Sequence, residues 1–444
     1  DAKDFDDAVS IEKIGEKYRL GVHIADVSYY VKENTPLDKE AFKRGNSIYL
    51  IDRVIPMLPE KLSNGICSLK PNEDRLTLSV FMEIDKRGNV LNHEIVEGVI
   101  RSKARLIYDD VSDLLENGDS SAFEGMDQIV EDLKLMEELC HILNERRERR
   151  GSIDFDFPEA RIILDDDGKP IDIVQEERRI ANRIIEEFML ICNETIAEEM
   201  YWAQVPFLYR IHEEPDEEKI EGLNKFIHNF GYMIKGNQEI HPKELQKITK
   251  EVKGKKEEAL INTMMLRSLK KARYSSEHDI HFGLAAKYYS HFTSPIRRYP
   301  DLQIHRIVKK FHKGGLSPRE EERLHSILPR VADHTSQTER MAEEVEREVD
   351  DLKMTEYMAE RIGNIYEGMI SSLTSYGMYV QLENTVEGLV HFENMIDDYY
   401  EFDEENYYVI GKGTKKIYRL GDIVKVKVID ANLVRRTIDF TLVP

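Results

Sequence analysis

The sequence predicts an α+β domain followed by a small all-β domain of the OB-fold type. Over the first hundred residues apolar and polar side chains alternate with period two, as in half-buried strands. From about residue 108 to 360 the apolar residues recur at helical spacing instead. After Gly363 short alternating segments return, about five in roughly 80 residues, which suits a small closed barrel.

Residues 8–11 and 18–24, split by Gly15-Glu16-Lys17, read as a hairpin. Residues 76–84 and 90–100 read as a second, turning at Lys86-Arg87-Gly88-Asn89. The clearest helix spans about 178–201, where Ile180, Ile184, Phe188 and Cys192 recur every four residues as an apolar stripe. Ser317-Pro318-Arg319-Glu320 carries the signature of a helix N-cap with proline at the first helical position. A separate long, polar helix is expected over 333–361, leading out of the first domain. The expected strands of the second domain are 366–373, 378–382, 388–390, 422–428 and 437–442. The domain division is therefore placed at 1–360 and 361–444.

A chain of 444 residues suggests two or three domains, and 41% hydrophobic residues are enough to fill their cores. No run of about 18 apolar residues is present, so no membrane association is expected. No secretory leader is recognisable, and the first residue is Asp1 rather than Met, so the natural start is expected upstream. Cys67, Cys140 and Cys192 lie far apart with no CxxC pair, which suits a reducing, cytoplasmic setting and argues against a cysteine zinc site. The net charge of −22 argues against nucleic acid only if charge is spread evenly, because binding depends on the local field. Much of the acid lies in segments that read as solvated faces, at 343–351 and 397–405. Basic residues cluster elsewhere, at Arg178, Arg179 and Arg183, at Lys270, Lys271 and Arg273, and at Arg297, Arg298 and Arg306.

Asp1-Ala2-Lys3-Asp4-Phe5-Asp6-Asp7 places four carboxylates in seven residues. Such crowding raises each pKa unless a cation neutralises it, and hard divalent ions take oxygen ligands. In extended chain Asp4 and Asp6 share a side, and Asp7 can contribute from a following turn. The same segment also suits a solvated acidic loop; an EF-hand is disfavoured because its D-x-D-x-D-G spacing is absent. His291-Phe292-Thr293-Ser294-Pro295-Ile296-Arg297-Arg298-Tyr299-Pro300-Asp301-Leu302 sets two adjacent arginines between prolines that pin the backbone. A guanidinium fork matches phosphate oxygens, so Arg297 or Arg298 can stabilise charge on a phosphate under attack, or simply bridge surface acids. Glu186 projects away from the apolar stripe of its helix, as a solvated glutamate also does. Tyr49, Tyr108 and Phe155 stand out by no spacing of their own.

These segments, with Val22-His23-Ile24-Ala25-Asp26-Val27-Ser28, Ile55-Pro56-Met57-Leu58-Pro59 and Arg178-Arg179-Ile180-Ala181-Asn182, resemble in order the catalytic domain of the RNase II/RNase R exoribonuclease family. The resemblance runs from Asp1 to about residue 357. The stretch from Gly363 resembles the S1 RNA-binding domain that follows in these enzymes. The tail and the wording of 293–302 are closer to bacterial RNase R than to RNase II.

The resemblance implies a mixed sheet with helices around an RNA channel, then the S1 barrel. It implies two magnesium ions held by clustered aspartates, of which Asp4, Asp6 and Asp7 match three and Asp6 the one most sensitive for chemistry. The fourth belongs three positions before Asp1. Arg297 matches the arginine at the scissile phosphate, Tyr49 the tyrosine against the 3′-terminal nucleotide, and Phe155 the aromatic that ends the base stack. Tyr108 and Glu186 match ribose-contacting positions, and Glu346 is a further approach to the site. Tyr376, Tyr379 and His391 fall on the RNA-binding face of the S1 fold, with at least one expected in the core. The implied activity is processive 3′-to-5′ hydrolysis of single-stranded RNA with a free 3′ end to 5′-mononucleotides, by a cytoplasmic monomer. A protein that only binds RNA, and a metal-dependent nucleotidyl or phosphate enzyme built on the D-x-D pair, are the competing readings.

Overall fold

The computed structural model describes residues 3–155, 159–235, 240–255, 257–403 and 407–443. Asp1 of the acidic motif lies outside them. A hairpin of β1 (Asp7–Ile14) and β2 (Lys17–Ala25) opens the chain, with Asp7 opposite Ile24 and Ile14 opposite Lys17. Gly15 makes the turn at a φ of 60°, which glycine adopts without steric cost. Helices α1 (Val27–Tyr30) and α2 (Pro36–Arg44) and the short pair β3 (Ile48–Tyr49) and β4 (Val54–Ile55) follow. A second hairpin, β5 (Asp74–Ile84) and β6 (Val90–Arg101), completes a four-stranded sheet in the order β1-β2-β5-β6. Every pairing in it is antiparallel. The α+β class therefore holds, but the sheet expected to be mixed is not. Both outer pairs are hairpins, whose tight turns return the chain antiparallel, and β2 meets β5 antiparallel as well.

Leu20, Val22, Ile24, Leu78, Val80, Met82 and Ile84 alternate onto one face of this sheet and are buried. After α3 (Tyr108–Ser112), helices α4 (Asp127–Arg150) and α5 (Ile180–Trp202) join the same core. The expected stripe on α5 appears: Ile184, Phe188 and Cys192 are buried, and Ile180 packs at the edge. Within the region expected to be helical lies a hairpin of β7 (Glu159–Leu164) and β8 (Pro170–Glu176). It turns where Asp165 and Lys169 bond across Gly168, and it buries Ile173 in a second core with Met358. Strand β9 (Tyr209–Ile211) pairs with β10 (Arg273–Ser275), and between them α6 (Glu217–His228), α7 (Pro242–Val252) and α8 (Glu258–Ser268) build a third core.

Helix α9 (Tyr299–His312) leads into α10 (Pro318–Ala359), which starts with the expected cap: Ser317 and Glu320 form a reciprocal capping box. The helices expected around Ser317 and over 333–361 are one, because the chain stays helical through Pro329. A closed barrel follows, of β11 (Ile365–Leu373), β12 (Gly377–Leu382), β13 (Glu387–His391), β17 (Ile423–Asn432) and β18 (Thr437–Leu442), in the order β11-β12-β13-β18-β17. A separate sheet of β14 (Tyr400–Asp403), β15 (Tyr408–Gly411) and β16 (Ile417–Arg419) is inserted before β17. The acidic stretch read as a solvated face thus contributes structure. The Asp398 carboxylate accepts the Gly413 and Thr414 N–H groups and the Thr414 hydroxyl, and these bonds hold its pKa below the usual carboxylate range. Among the described residues no helix is long and apolar enough to cross a membrane.

Candidate active site

The acidic segment is an extended loop held on both sides. The Ser68 hydroxyl accepts the Phe5 N–H at 3.1 Å and donates to the Lys3 carbonyl at 2.7 Å. Leu69 N–H bonds the Phe5 carbonyl, and Ala25 N–H bonds that of Asp6. Asp6 is thereby turned inward, with 4% of its surface exposed. Its Oδ1 accepts the Ile296 N–H at 2.8 Å, while its Oδ2 is buried without a hydrogen-bond partner, 3.6 Å from Arg297 Nε. Burial pushes the Asp6 carboxyl well above the usual range; Arg297 and the Ile296 N–H oppose that rise, and Asp7 and Asp301 add to it. Burial also raises Asp7, again against Arg297.

The loop bearing Arg297 is fixed as firmly. Asn193 on α5 accepts the Phe292 N–H, and the Arg297 and Gly45 carbonyls take the Ser47 and Tyr299 N–H groups. The two arginines part company here. Arg297 keeps 45% of its side chain exposed beside Asp6, whereas Arg298 turns inward, 18% exposed, onto Asp301 at 2.7 Å. The same Ser47 link carries β3 to the site. The Tyr49 hydroxyl donates to Asp4 Oδ2 at 2.7 Å, and the Tyr49 N–H donates to Glu346 on α10 at 2.7 Å. Glu346 thus does approach the site. Burial, then the Asp4 carboxylate, push the Tyr49 phenol up. Tyr108, at the start of α3, is half exposed; burial and the charge of Asp7 raise its phenol, and Arg297 lowers it. Asp4, Asp6, Asp7, Tyr49, Tyr108, Arg297 and Glu346 therefore form one neighbourhood.

Glu186 and Phe155 belong to another. Arg178 Nε bonds Glu186 at 3.0 Å and its Nη1 bonds Asp154 at 2.9 Å, and Phe155 packs against the third core. The glutamate read as projecting to solvent is thus engaged by an arginine of its own helix entry. More broadly, several of the arginines and lysines read as basic clusters are paired. Arg179 bonds Asp113 and Glu116, Lys270 bonds Asp216, Arg273 bonds Glu213 and Arg306 bonds Asp38. On the barrel, Tyr376 and Tyr379 share a hydroxyl contact at 3.2 Å, and the Tyr376 and His391 rings lie 6.3 Å apart. All three stay partly or fully exposed, so none takes the core place expected for at least one of them. Ser68 and Asp301, which lock the two loops, carry no local sequence signal for that role.

Among the described residues no three acidic, histidine or cysteine side chains are gathered as a metal cage. The donor chemistry nevertheless fits a hard cation, because magnesium takes as few as one or two carboxylates and completes its shell with water and substrate phosphate. The buried, unpartnered Asp6 Oδ2 is the atom that a cation would satisfy.

Comparison with known proteins agrees with this architecture. The RNB domain profile matches residues 1–314 and the S1 RNA binding domain profile residues 360–442. The chain is 46% identical over its whole length to Ribonuclease R 1 of Lactococcus lactis subsp. lactis (strain IL1403) and to Ribonuclease R of Thermotoga maritima, spanning 54% and 63% of their lengths. It superposes at a TM-score of 0.93 on Mycoplasma genitalium RNase R in complex with ribose methylated single-stranded RNA, at 31% identity, covering all of this chain and 69% of that one. With the RNB profile over 1–314, the S1 profile over the barrel and 46% identity along this whole chain to ribonuclease R sequences, the chain belongs to the ribonuclease R family of RNB-domain proteins.

Proposed function

We propose that the chain is the catalytic portion of a processive 3′-to-5′ exoribonuclease that hydrolyses single-stranded RNA to 5′-mononucleotides with two magnesium ions. The observation that carries this is the Asp6–Arg297 pair: a buried carboxylate oxygen without a hydrogen-bond partner, 3.6 Å from a half-exposed guanidinium. Asp4, Asp6 and Asp7 are the residues that would hold the metal. Bound magnesium supplies an activated water and neutralises developing phosphate charge. Arg297 presents its fork to the scissile phosphate, where charge grows during attack. Tyr49 backs the 3′-terminal nucleotide, and Phe155 closes the stack of bases, which any base can join because each has a π face. Tyr108 and Glu186 contact ribose, where the 2′-hydroxyl distinguishes RNA from DNA. Residues 1–360 act as the catalytic unit, and 361–444, with Tyr376, Tyr379 and His391, as the RNA-binding unit. The Mycoplasma genitalium relative, with its bound single-stranded RNA, supports RNA as the substrate.

A binding-only protein is the second reading, favoured by the S1 RNA binding domain profile over residues 360–442. Incubation with 5′-labelled single-stranded RNA in magnesium, beside EDTA and Asp6→Asn controls, separates the two. A ladder shortening from the 3′ end and lost in both controls supports the enzyme; binding without shortening that persists in a chain extended upstream through the fourth aspartate supports the binder.

A further inference from the structure

We infer that Asp301 is a positioning residue for the phosphate-facing arginine, acting through Ser294 to aim Arg297 and the Ile296 N–H at Asp6. The inference rests on the proposed nuclease reading and extends it to a residue that touches neither RNA nor metal ligand. Asp301 sits in the first turn of α9 and is completely buried. Its Oδ1 accepts the Ser294 N–H at 2.8 Å and Arg298 Nη2 at 2.7 Å, so one oxygen ties the loop back onto the helix that follows it. Ser294 in turn holds the loop from inside. Its carbonyl accepts the Arg298 N–H at 2.9 Å, and its hydroxyl accepts from Arg297 Nη2 at 3.0 Å. Ile296 and Arg297 lie within this closed turn, and they supply the N–H on Asp6 Oδ1 and the guanidinium near Asp6 Oδ2.

The geometry therefore runs Asp301, Ser294, Arg297, Asp6, each link a named hydrogen bond or charge contact. A carboxylate suits the Asp301 position better than an amide for two reasons. It bonds Arg298 with opposite charge, and it lies at a helix N-terminus, where negative charge is favoured. Losing that charge leaves the inward-turned Arg298 guanidinium without its charged partner, in a residue whose own N–H closes the turn on the Ser294 carbonyl. A misplacement of about 1 Å in a group that stabilises a transition state costs on the order of a hundredfold in rate.

The test is a double-mutant cycle on the whole chain, with cleavage of 5′-labelled RNA in magnesium and melting followed separately. Asp301→Asn keeps an acceptor for the Ser294 N–H. It is expected to lower kcat by about 10- to 100-fold while KM changes by less than about threefold, because the loss is confined to the transition state. Combined with Arg297→Ala, it is expected to add less than about threefold to the loss from Arg297→Ala alone, since both act through one group. Multiplying losses, or a change confined to the melting temperature, would overturn the inference. Should Asp301→Asn not fold, Ser294→Ala carries the same cycle: it removes only the Arg297 Nη2 acceptor, and full activity in that variant is equally fatal. If the unaltered chain, and the chain extended upstream through the fourth aspartate, bind RNA but do not shorten it, the nuclease reading fails and the cycle is read in RNA affinity in EDTA. Non-additive losses there keep the positioning role, and additive ones end it.

Discussion

The Asp6 carboxylate accepts the Ile296 N–H at 2.8 Å, joining residues 290 positions apart, and leaves its other oxygen buried and unpaired. One oxygen thus serves the fold while the other faces the site. Asp6→Asn separates these duties, because the amide oxygen still accepts the N–H while the negative charge is lost. RNA shortening is expected to fall by at least about a hundredfold, with affinity for single-stranded RNA in EDTA within about threefold and an unchanged melting temperature. Cleavage at the unaltered rate would remove Asp6 from the metal assignment.

What local pattern determines was legible in the sequence. The two hairpins alternate over neighbouring residues, and the α5 stripe repeats every four. The β7–β8 hairpin escaped because the partner that buries Ile173, Met358, lies far along the chain. Strands β14–β16 escaped because acid at 397–405 reads as solvated, whereas Asp398 is consumed by the Gly413–Thr414 turn. Pro329 reads as a helix breaker, yet α10 passes through it. At the site, the crowded aspartates and paired arginines marked themselves. Ser68 could not, since its role is a tertiary bond to Phe5, and nothing local assigns one arginine outward and its neighbour inward.

Glu186 is held by Arg178, which also holds Asp154 next to Phe155. Glu186→Ala removes the proposed ribose acceptor and leaves Arg178 bonded to Asp154 alone. The preference for RNA over a DNA strand of the same sequence is expected to drop by about tenfold, roughly one hydrogen bond to a charged group. Parallel affinity titrations of the two strands measure this, and an unchanged ratio would refute the ribose role.

The exposed Tyr376, in hydroxyl contact with Tyr379, offers a stacking surface on the barrel. Tyr376→Ala is expected to weaken binding of a single-stranded oligonucleotide by about 1–3 kcal/mol. The slope of affinity against salt should stay unchanged, because no phosphate contact is lost. Fluorescence anisotropy over a salt series checks both points; a changed slope with little loss of affinity would place the residue against the backbone instead.

Burial holds several imidazoles below the usual 6.5, among them His23 at about 4, His281 at about 3, His305 at about 4, and His291 and His212. His23 is neutral between the Ser10 and Ser79 hydroxyls, and His305 bonds the Phe292 carbonyl behind the arginine loop. Each takes up a proton more readily when unfolded. The stability from keeping it neutral is complete above pH 6.5 and is lost as the pH falls from 6.5 toward 3 to 4. Each such group removes about 1.4 kcal/mol per pH unit within its window. The buried Asp6 works in the opposite sense, since its raised pKa favours the protonated, acid form. Denaturant midpoints at pH 7.5, 6.0 and 5.0 are therefore expected to fall progressively. His23→Gln removes one of these contributions while retaining hydrogen bonds to the serines, so its decline should be shallower. A decline as steep as in the unaltered chain would show that His23 is already protonated in the fold.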